Sequence, residues 1–75
     1  MEFVAIDVET ANPDVGSICQ VGLALYRGGG LVEEWKTYID PEAHFAGMNI
    51  AVHGIDEATV AGCPTLPEVS DTIRR

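Results

Sequence analysis

The chain has 75 residues, with 12 acidic side chains against 4 Lys or Arg, and its formal net charge is -8. Hydrophobic residues make up 47% of it, which excludes a disordered acidic tail because such tails lack the apolar residues that fill a core. One small domain is the most that this length allows, and no apolar run approaches the roughly 20 residues of a membrane-spanning helix.

Three strands are predicted in the first half of the chain. Residues 2–9 are apolar and β-branched without Gly or Pro, and residues 10–17 carry turn residues. Residues 17–27 are almost continuously apolar, as in a strand covered on both faces. The three glycines at 28–30 predict a hairpin turn that leads into a third strand at 31–39.

Helices are predicted in the second half. Asp56 is placed to cap a short helix over 56–60, with Gly62 as its end. Thr65 and Glu68 have capping-box spacing at the start of a second helix. The apolar face of that helix is predicted to contain Leu66, Val69 and Ile73. A strand meander followed by a helix predicts an α/β domain that continues into more sheet, so residues 1–75 are expected to be its N-terminal portion.

The two cysteines do not form a disulfide framework. Cys19 and Cys63 have no second Cys or His at the spacing of metal ligands. The acidic start at Met1 and Glu2 is unlike a basic secretory signal and predicts a cytoplasmic protein. One disulfide is conceivable, but a reducing cytosol favours two free thiols.

The sharpest chemical feature is the segment Asp7-Val8-Glu9-Thr10 at the end of the first predicted strand. Alternation places Asp7 and Glu9 on one face, with their Cα atoms roughly 6.6 Å apart. Val4, Ile6 and Val8 lie on the opposite face and are expected to anchor the strand in a core. Two carboxylates so close can bind Mg²⁺ or Mn²⁺, since both ions prefer hard oxygen ligands.

A second feature is the segment Asn49-Ile50-Ala51-Val52-His53-Gly54-Ile55. Gly54 indicates a turn with unusual backbone angles, and Val52 and Ile55 could pack inward or face a ligand. On spacing alone, a single His is more often a surface or core residue than a catalytic one. The segment acquires a functional meaning only together with the carboxylate pair.

Taken together, five motifs occur in the order and spacing of one family: Asp7-Val8-Glu9-Thr10, the glycine hairpin 28–30, Asp40-Pro41-Glu42, Val52-His53-Gly54-Ile55 and the helix start 64–69. The chain resembles the N-terminal portion of the DEDD-type (DnaQ-like) 3′–5′ exonucleases, especially the proofreading epsilon subunit of bacterial DNA polymerase III. The resemblance covers essentially all 75 residues. It implies a ribonuclease-H-like fold, a mixed five-stranded sheet flanked by helices, of which this chain would form the three-stranded antiparallel meander and the helices that follow.

The resemblance also implies roles for particular residues. Asp7 and Glu9 match the first two acidic ligands of a two-metal Mg²⁺ or Mn²⁺ site and are the expected catalytic residues. Thr10 matches the position that holds the terminal 3′ nucleotide through its backbone. Val52, His53 and Ile55 would line the pocket for that nucleotide. The implied reaction is hydrolysis at single-stranded 3′ ends of DNA or RNA in replication or repair, with a polymerase as a possible partner.

The sequence departs from the family after its first motif. The second motif, an Asp on a later helix, and the third, a His followed by an Asp, have no match in residues 1–75. Two ligands and the general base are therefore missing, and little or no catalysis is expected from this chain. One edge of the first strand would also be unpaired, which predicts self-association or contact with other parts of a larger protein.

Three other interpretations bear on the same residues. A haloacid-dehalogenase-like phosphatase also places an Asp at a strand end, but its chemistry needs Asp-x-Asp, and Glu9 argues against it. A non-catalytic nucleic-acid or protein interaction module on the same fold stays open. A P-loop is excluded because the glycines at 28–30 join two strands and precede no helix N-terminus.

Overall fold

The computed structural model describes the backbone of residues 2–73 and the side chains of residues 2–70. Its elements, in chain order, are strands β1 (Glu2–Thr10), β2 (Ile18–Arg27) and β3 (Gly30–Tyr38), then helices α1 (Gly47–His53), α2 (Glu57–Val60) and α3 (Leu66–Ile73). The predicted strands agree with these bounds to within one residue. The α/β arrangement of an antiparallel meander followed by helices is therefore confirmed.

The sheet has the order β1-β2-β3, and both neighbouring pairs are antiparallel. Asp7 lies opposite Gly22, and Gly22 lies opposite Lys36 on the next strand. The hairpin between β2 and β3 needs two residues with positive φ, and Gly28 and Gly29 supply them at 61° and 84°. Glycine adopts these angles without the steric cost of a Cβ, which explains the glycine run.

Among the described side chains, two small cores lie where the strands meet the helices. The first contains Ala11, Cys19, Phe45, Ile55 and Val60. The second contains Val21, Ile39 and Val69, so it joins the start of β2 to α3. Both cores include residues near the C-terminal end of β1 or the start of β2. The rest of the sheet extends away from the helices.

The expectation that one face of β1 anchors the strand in a core is wrong for the described part of the chain. The side chains of Val4, Ile6 and Val8 are 56%, 69% and 44% exposed. They do share a face, as alternation predicts, but β1 is an edge strand and α3 reaches only the Val21 end of that face. The sequence pattern shows which residues share a face; it does not show what covers them.

The predicted helix caps are present. The Asp56 side chain accepts a hydrogen bond from the Thr59 N–H (3.0 Å) and caps α2, which ends before Gly62 at a φ of 80°. The Glu68 carboxylate accepts bonds from the backbone N–H and the hydroxyl of Thr65, at 3.0 and 2.9 Å. The predicted position of the Ile73 side chain lies outside the described residues.

Helix α1 was not predicted, because residues 42–54 contain Gly47 and Asn49 and show no long apolar period. It ends at Gly54, which adopts the left-handed conformation (φ 77°) and donates its N–H to the Ile50 carbonyl at 2.7 Å. Both cysteines are free, with Cys19 buried, so the prediction of free thiols is confirmed. Within residues 2–73, no helix has the length and apolar character that crossing a membrane requires.

Candidate functional site

The two predicted metal ligands lie near the C-terminal end of β1. Asp7 and Glu9 share a face of the strand, opposite Gly22 and Gln20 of β2, and a bulge follows between Glu9 and Thr10. Asp7 is exposed, while Glu9 is half-buried. The carboxylate pair is therefore accessible to an ion from solvent.

Asp7 borders a shallow groove of about 170 Å³, whose lining includes the small residues Ala5, Gly22 and Ala24. Gly22 lies beside Asp7, and the Lys36 side chain crosses above Gly22: its Cε lies 3.7 Å from the position that a Cβ on Gly22 would take. Among the described side chains, the only ion pair is that of Arg27 with Glu2. Lys36 thus places a positive charge near Asp7 without forming an ion pair with it.

Glu9 lies close enough to Cys19 for its negative charge to influence the pKa of the Cys19 thiol. Burial of Cys19 raises the pKa of the thiol, and the negative charge of Glu9 raises this pKa further. Cys19 belongs to the first core, so Glu9 stands at the boundary between that core and solvent.

The Thr10 carbonyl is the point where β1 meets α1. His53 Nε2 lies 2.8 Å from this oxygen, and Asn49 Nδ2 donates to it at 3.2 Å. The Ile55 backbone N–H donates to His53 Nδ1 at 2.9 Å. Since a backbone N–H can only donate, Nδ1 is an acceptor, and the ring proton is on Nε2, from which it is donated to Thr10.

A second contact fixes the same junction from the loop between β1 and β2. Asn12 Nδ2 donates to the His44 carbonyl at 2.7 Å, and the Ala46 N–H donates to the Ala11 carbonyl at 2.8 Å. Ala46 is the N-cap residue of α1, and His53 is its last residue. Both ends of this helix are therefore bonded to the chain at Thr10 and Ala11, where β1 ends.

A cleft of about 240 Å³ lies between the end of β1 and α1. Its lining consists of Glu9, Thr10, Met48, Asn49, Val52 and His53. Met48 and Val52 occupy successive turns of one helix face and are 81% and 78% exposed. The cleft therefore has a carboxylate on its strand side and two apolar side chains on its helix side.

The structure brings together most of the residues that the sequence predicted for the site. Glu9, Thr10, Val52 and His53 line one cleft, and Asp7 lies two residues before Glu9 on the same face. Ile55 is placed differently: it is 3% exposed and packs in the first core rather than lining the cleft.

Two cleft residues, Met48 and Asn49, were given no role in the site from the sequence, although Asn49 begins the segment 49–55 that the sequence singled out. Asn49 precedes His53 by four residues, which would have placed both on one face of a helix had α1 been predicted. Met48 bears the same relation to Val52. The four-residue spacing therefore indicates that these residues share a face, but only once residues 47–53 are known to form a helix.

The carboxylates of Asp7 and Glu9 suit a divalent cation in chemical type, but there are few of them. Carboxylate oxygens of Asp7 and Glu9 are the ligand type that Mg²⁺ and Mn²⁺ prefer, and both groups reach solvent, which would complete the coordination shell. Among residues 2–70, however, no group of three or more His, Cys, Asp or Glu side chains is arranged to hold a metal ion. The described residues thus offer two protein ligands.

No family model matches the chain. The chain is 29% identical over 69 residues to a protein named "DNA polymerase III PolC-type" from Thermotoga maritima. The match covers 89% of this chain and 5% of the relative, so the chain spans only a small segment of that protein's length. This similarity supports a DNA polymerase III-related region and nothing finer.

Proposed function

We propose that this chain supplies the first two metal ligands and part of the 3′-nucleotide pocket of a metal-dependent 3′–5′ exonuclease domain with a ribonuclease-H-like fold. The observation that carries the proposal is the position of Asp7 and Glu9 on one face at the end of β1, directly beside the cleft formed with α1. The similarity to a segment of a DNA polymerase III agrees with a substrate that is a nucleic acid.

In this proposal, Asp7 and Glu9 would hold Mg²⁺ or Mn²⁺, and the cation would supply activation of water near neutral pH and stabilisation of the charge that develops on the phosphate. The residues of this chain hold and orient the participants. Asp7 and Glu9 bind the metal through their carboxylates. The apolar side chains of Met48 and Val52 give the cleft a surface on which the flat face of a nucleobase can rest.

The rigid junction at Thr10 supports the same proposal. His53 and Asn49 hold the Thr10 carbonyl, so the cleft wall on the strand side is fixed before any ligand arrives. A site held in advance loses less conformational entropy when it binds. The complete reaction requires two further carboxylates and a general base, so we expect the isolated chain to bind metal and nucleotide weakly and to hydrolyse little or no DNA.

The test is binding of Mn²⁺ and of a nucleoside 5′-monophosphate, which is the product of such an exonuclease. Amide signals of the chain are recorded by NMR while Mn²⁺ is added, with and without dTMP. We expect paramagnetic broadening centred on Asp7 and Glu9, and dTMP shifts around Val52 and His53 that strengthen when the metal is present.

The matched variants are Asp7→Asn and Glu33→Gln. Each removes one negative charge from an exposed strand residue, but Glu33 lies on β3, away from the cleft. A divalent ion about 4 Å from a carboxylate gains about 2 kcal/mol even in water, so Asp7→Asn should weaken Mn²⁺ binding at least about ten-fold. The proposal would be refuted if both variants weakened Mn²⁺ binding equally, or if dTMP bound equally well with and without the metal.

A second candidate function is a non-catalytic nucleic-acid or protein interaction module on the same fold. The observation that favours it is the lack of a third metal ligand beside Asp7 and Glu9 among the described side chains. Such a module predicts that single-stranded DNA binds equally well with Mn²⁺ and with a chelator. The exonuclease proposal predicts that the chelator weakens this binding.

A further inference from the structure

Helix α1 is held on the sheet by hydrogen bonds more than by packing. It has seven residues, fewer than a helix usually needs to be stable by itself, and none of them is buried. Ile50 packs against the first core but is itself only partly buried. The N-cap residue is Ala46, whose side chain cannot bond to the helix. The position of α1 therefore depends on the bonds that join it to the end of β1.

Asn49 contacts Thr10 at two different atoms. Its Nδ2 donates to the Thr10 carbonyl at 3.2 Å and to the Thr10 hydroxyl oxygen at 3.4 Å. His53 bonds to the carbonyl alone. Asn49 therefore restrains both the backbone and the side chain of Thr10, and it fixes the side chain in one of the staggered rotamers that are open to it.

Thr10 directly follows Glu9, the second proposed metal ligand. The regular pairing of β1 with β2 is interrupted at this place, because the register shifts between Glu9 and Thr10. Pairing with Gln20 holds Glu9 on the side of the regular ladder, and the bonds from α1 hold the residue on its other side. Release of Thr10 would free one side of Glu9, and segment ends that lack such bonds open most readily. Two carboxylates bind one ion well only when both are held in place beforehand.

The proposed surface for the nucleobase lies on the same helix. Met48 and Val52 line the cleft, and each directly precedes a residue that bonds to Thr10, namely Asn49 and His53. Thr10 lines the opposite wall of the cleft. A nucleobase that rests on Met48 and Val52 therefore contacts the helix and faces the strand, so it favours the arrangement in which the two lie together, as Asn49 does.

We propose that Asn49 is a positioning residue for the metal site: by holding Thr10, it orders the end of β1 so that Glu9 lies ready beside Asp7 to bind the ion. Asn49 acts on Glu9 through Thr10 and is not itself a ligand. The competing arrangement is one in which α1 is released from Thr10 and Glu9 is less ordered, so it binds the ion less well. This inference rests on the proposed function, because it takes Glu9 as a metal ligand.

The size of the effect follows from the populations of the two arrangements. The apparent affinity for the metal is the intrinsic affinity multiplied by the fraction of chains that are ready to bind it. Asn49→Ala removes both contacts with Thr10 and leaves the bond from His53, so this fraction should fall while the chain stays folded. A fall from nearly complete to about one third raises the Mn²⁺ dissociation constant about three-fold.

The test is an NMR titration of the full chain with Mn²⁺, with and without saturating thymidine, in which amide signals of the β2–β3 hairpin report that each variant is folded. Thymidine has no phosphate through which it could bind the ion. By holding α1 against β1, it should restore most of the Mn²⁺ affinity that Asn49→Ala loses and should change the affinity of the wild type little. In a Glu9→Gln chain, Asn49→Ala should have no further effect, because Asn49 acts on the metal through Glu9.

The matched control is Asn12→Ala, which removes the bond to the His44 carbonyl near the start of α1 and should bind Mn²⁺ as the wild type does. The inference is overturned if Asn49→Ala binds Mn²⁺ as tightly as the wild type, if Asn12→Ala loses as much affinity, or if thymidine restores none of the loss. The proposed function fails differently, because Asp7→Asn would then weaken Mn²⁺ binding no more than Glu33→Gln. Where Asp7→Asn weakens it and Asn49→Ala does not, only the role of Asn49 is wrong.

Discussion

The bonds that His53 makes should be a major part of what keeps α1 on the sheet. Replacing His53 with Ala removes the bond from Nε2 to the Thr10 carbonyl and the bond that Nδ1 accepts from the Ile55 N–H. Each bond contributes about 0.5–1.5 kcal/mol net, so the loss is about 1–3 kcal/mol. A chain of this size has a total free energy of unfolding of only about 4–11 kcal/mol, so the loss is a substantial fraction of it.

The assay is thermal and urea denaturation at one fixed protein concentration, because association would add a concentration-dependent term. For a domain of this size, the expected loss lowers the Tm by about 4–24 °C. Met48→Ala is the matched control: Met48 lies on the same helix but is 81% exposed, so its truncation should change the free energy of unfolding by less than about 0.5 kcal/mol.

Asn49 gives the prediction a second measurement. Asn49 and His53 donate to the same carbonyl, so the double variant Asn49→Ala with His53→Ala should differ from the sum of the single variants by at least about 0.5 kcal/mol. A His53→Ala chain as stable as Met48→Ala would contradict the account of the Thr10 junction, and so would strict additivity of the two substitutions.

Two further predictions follow from shifted pKa values. Hydrogen bonds from Thr59 and Thr65, chiefly from their backbone N–H groups, lower the pKa of Asp56 and of Glu68 below the values in the unfolded chain. The stability that these bonds contribute is present above the unfolded pKa and is lost as the pH falls through the folded pKa. Helical circular dichroism should therefore decrease on acidification, and it should decrease less in Glu68→Gln. The pKa of Cys19 is raised by burial and then by Glu9, so iodoacetamide should label Cys63 well before Cys19; equal rates in the folded chain would contradict this.

The local features of the fold could be predicted from the sequence because neighbouring residues produce them. Gly28 and Gly29 adopt the positive φ angles of the hairpin, and alternation places Asp7 and Glu9 on one face. Asp56 caps α2 through a hydrogen bond to a residue only three positions away. Each of these depends on a short stretch of chain, so a reader of the sequence has all the information that is needed.

Helix α1 and the cleft could not be predicted in the same way. The helix has seven residues, fewer than a helix usually needs to be stable by itself. Contacts that are distant in sequence hold it: Asn49 and His53 bond to Thr10, 39 and 43 residues away. Without that helix, neither Met48 nor Asn49 stands out as part of a cleft.

The sequence by itself determined the meander, the helix caps, the free thiols and the two carboxylates that share a face. The tertiary structure decided what lies against each face: Ile55 packs in the core, and Val4, Ile6 and Val8 are left at an open edge. The physical reason is that periodicity and capping depend on bonds between near neighbours. Burial depends instead on which distant segments are available to cover a surface, and the helices within residues 2–73 cover one end of this sheet.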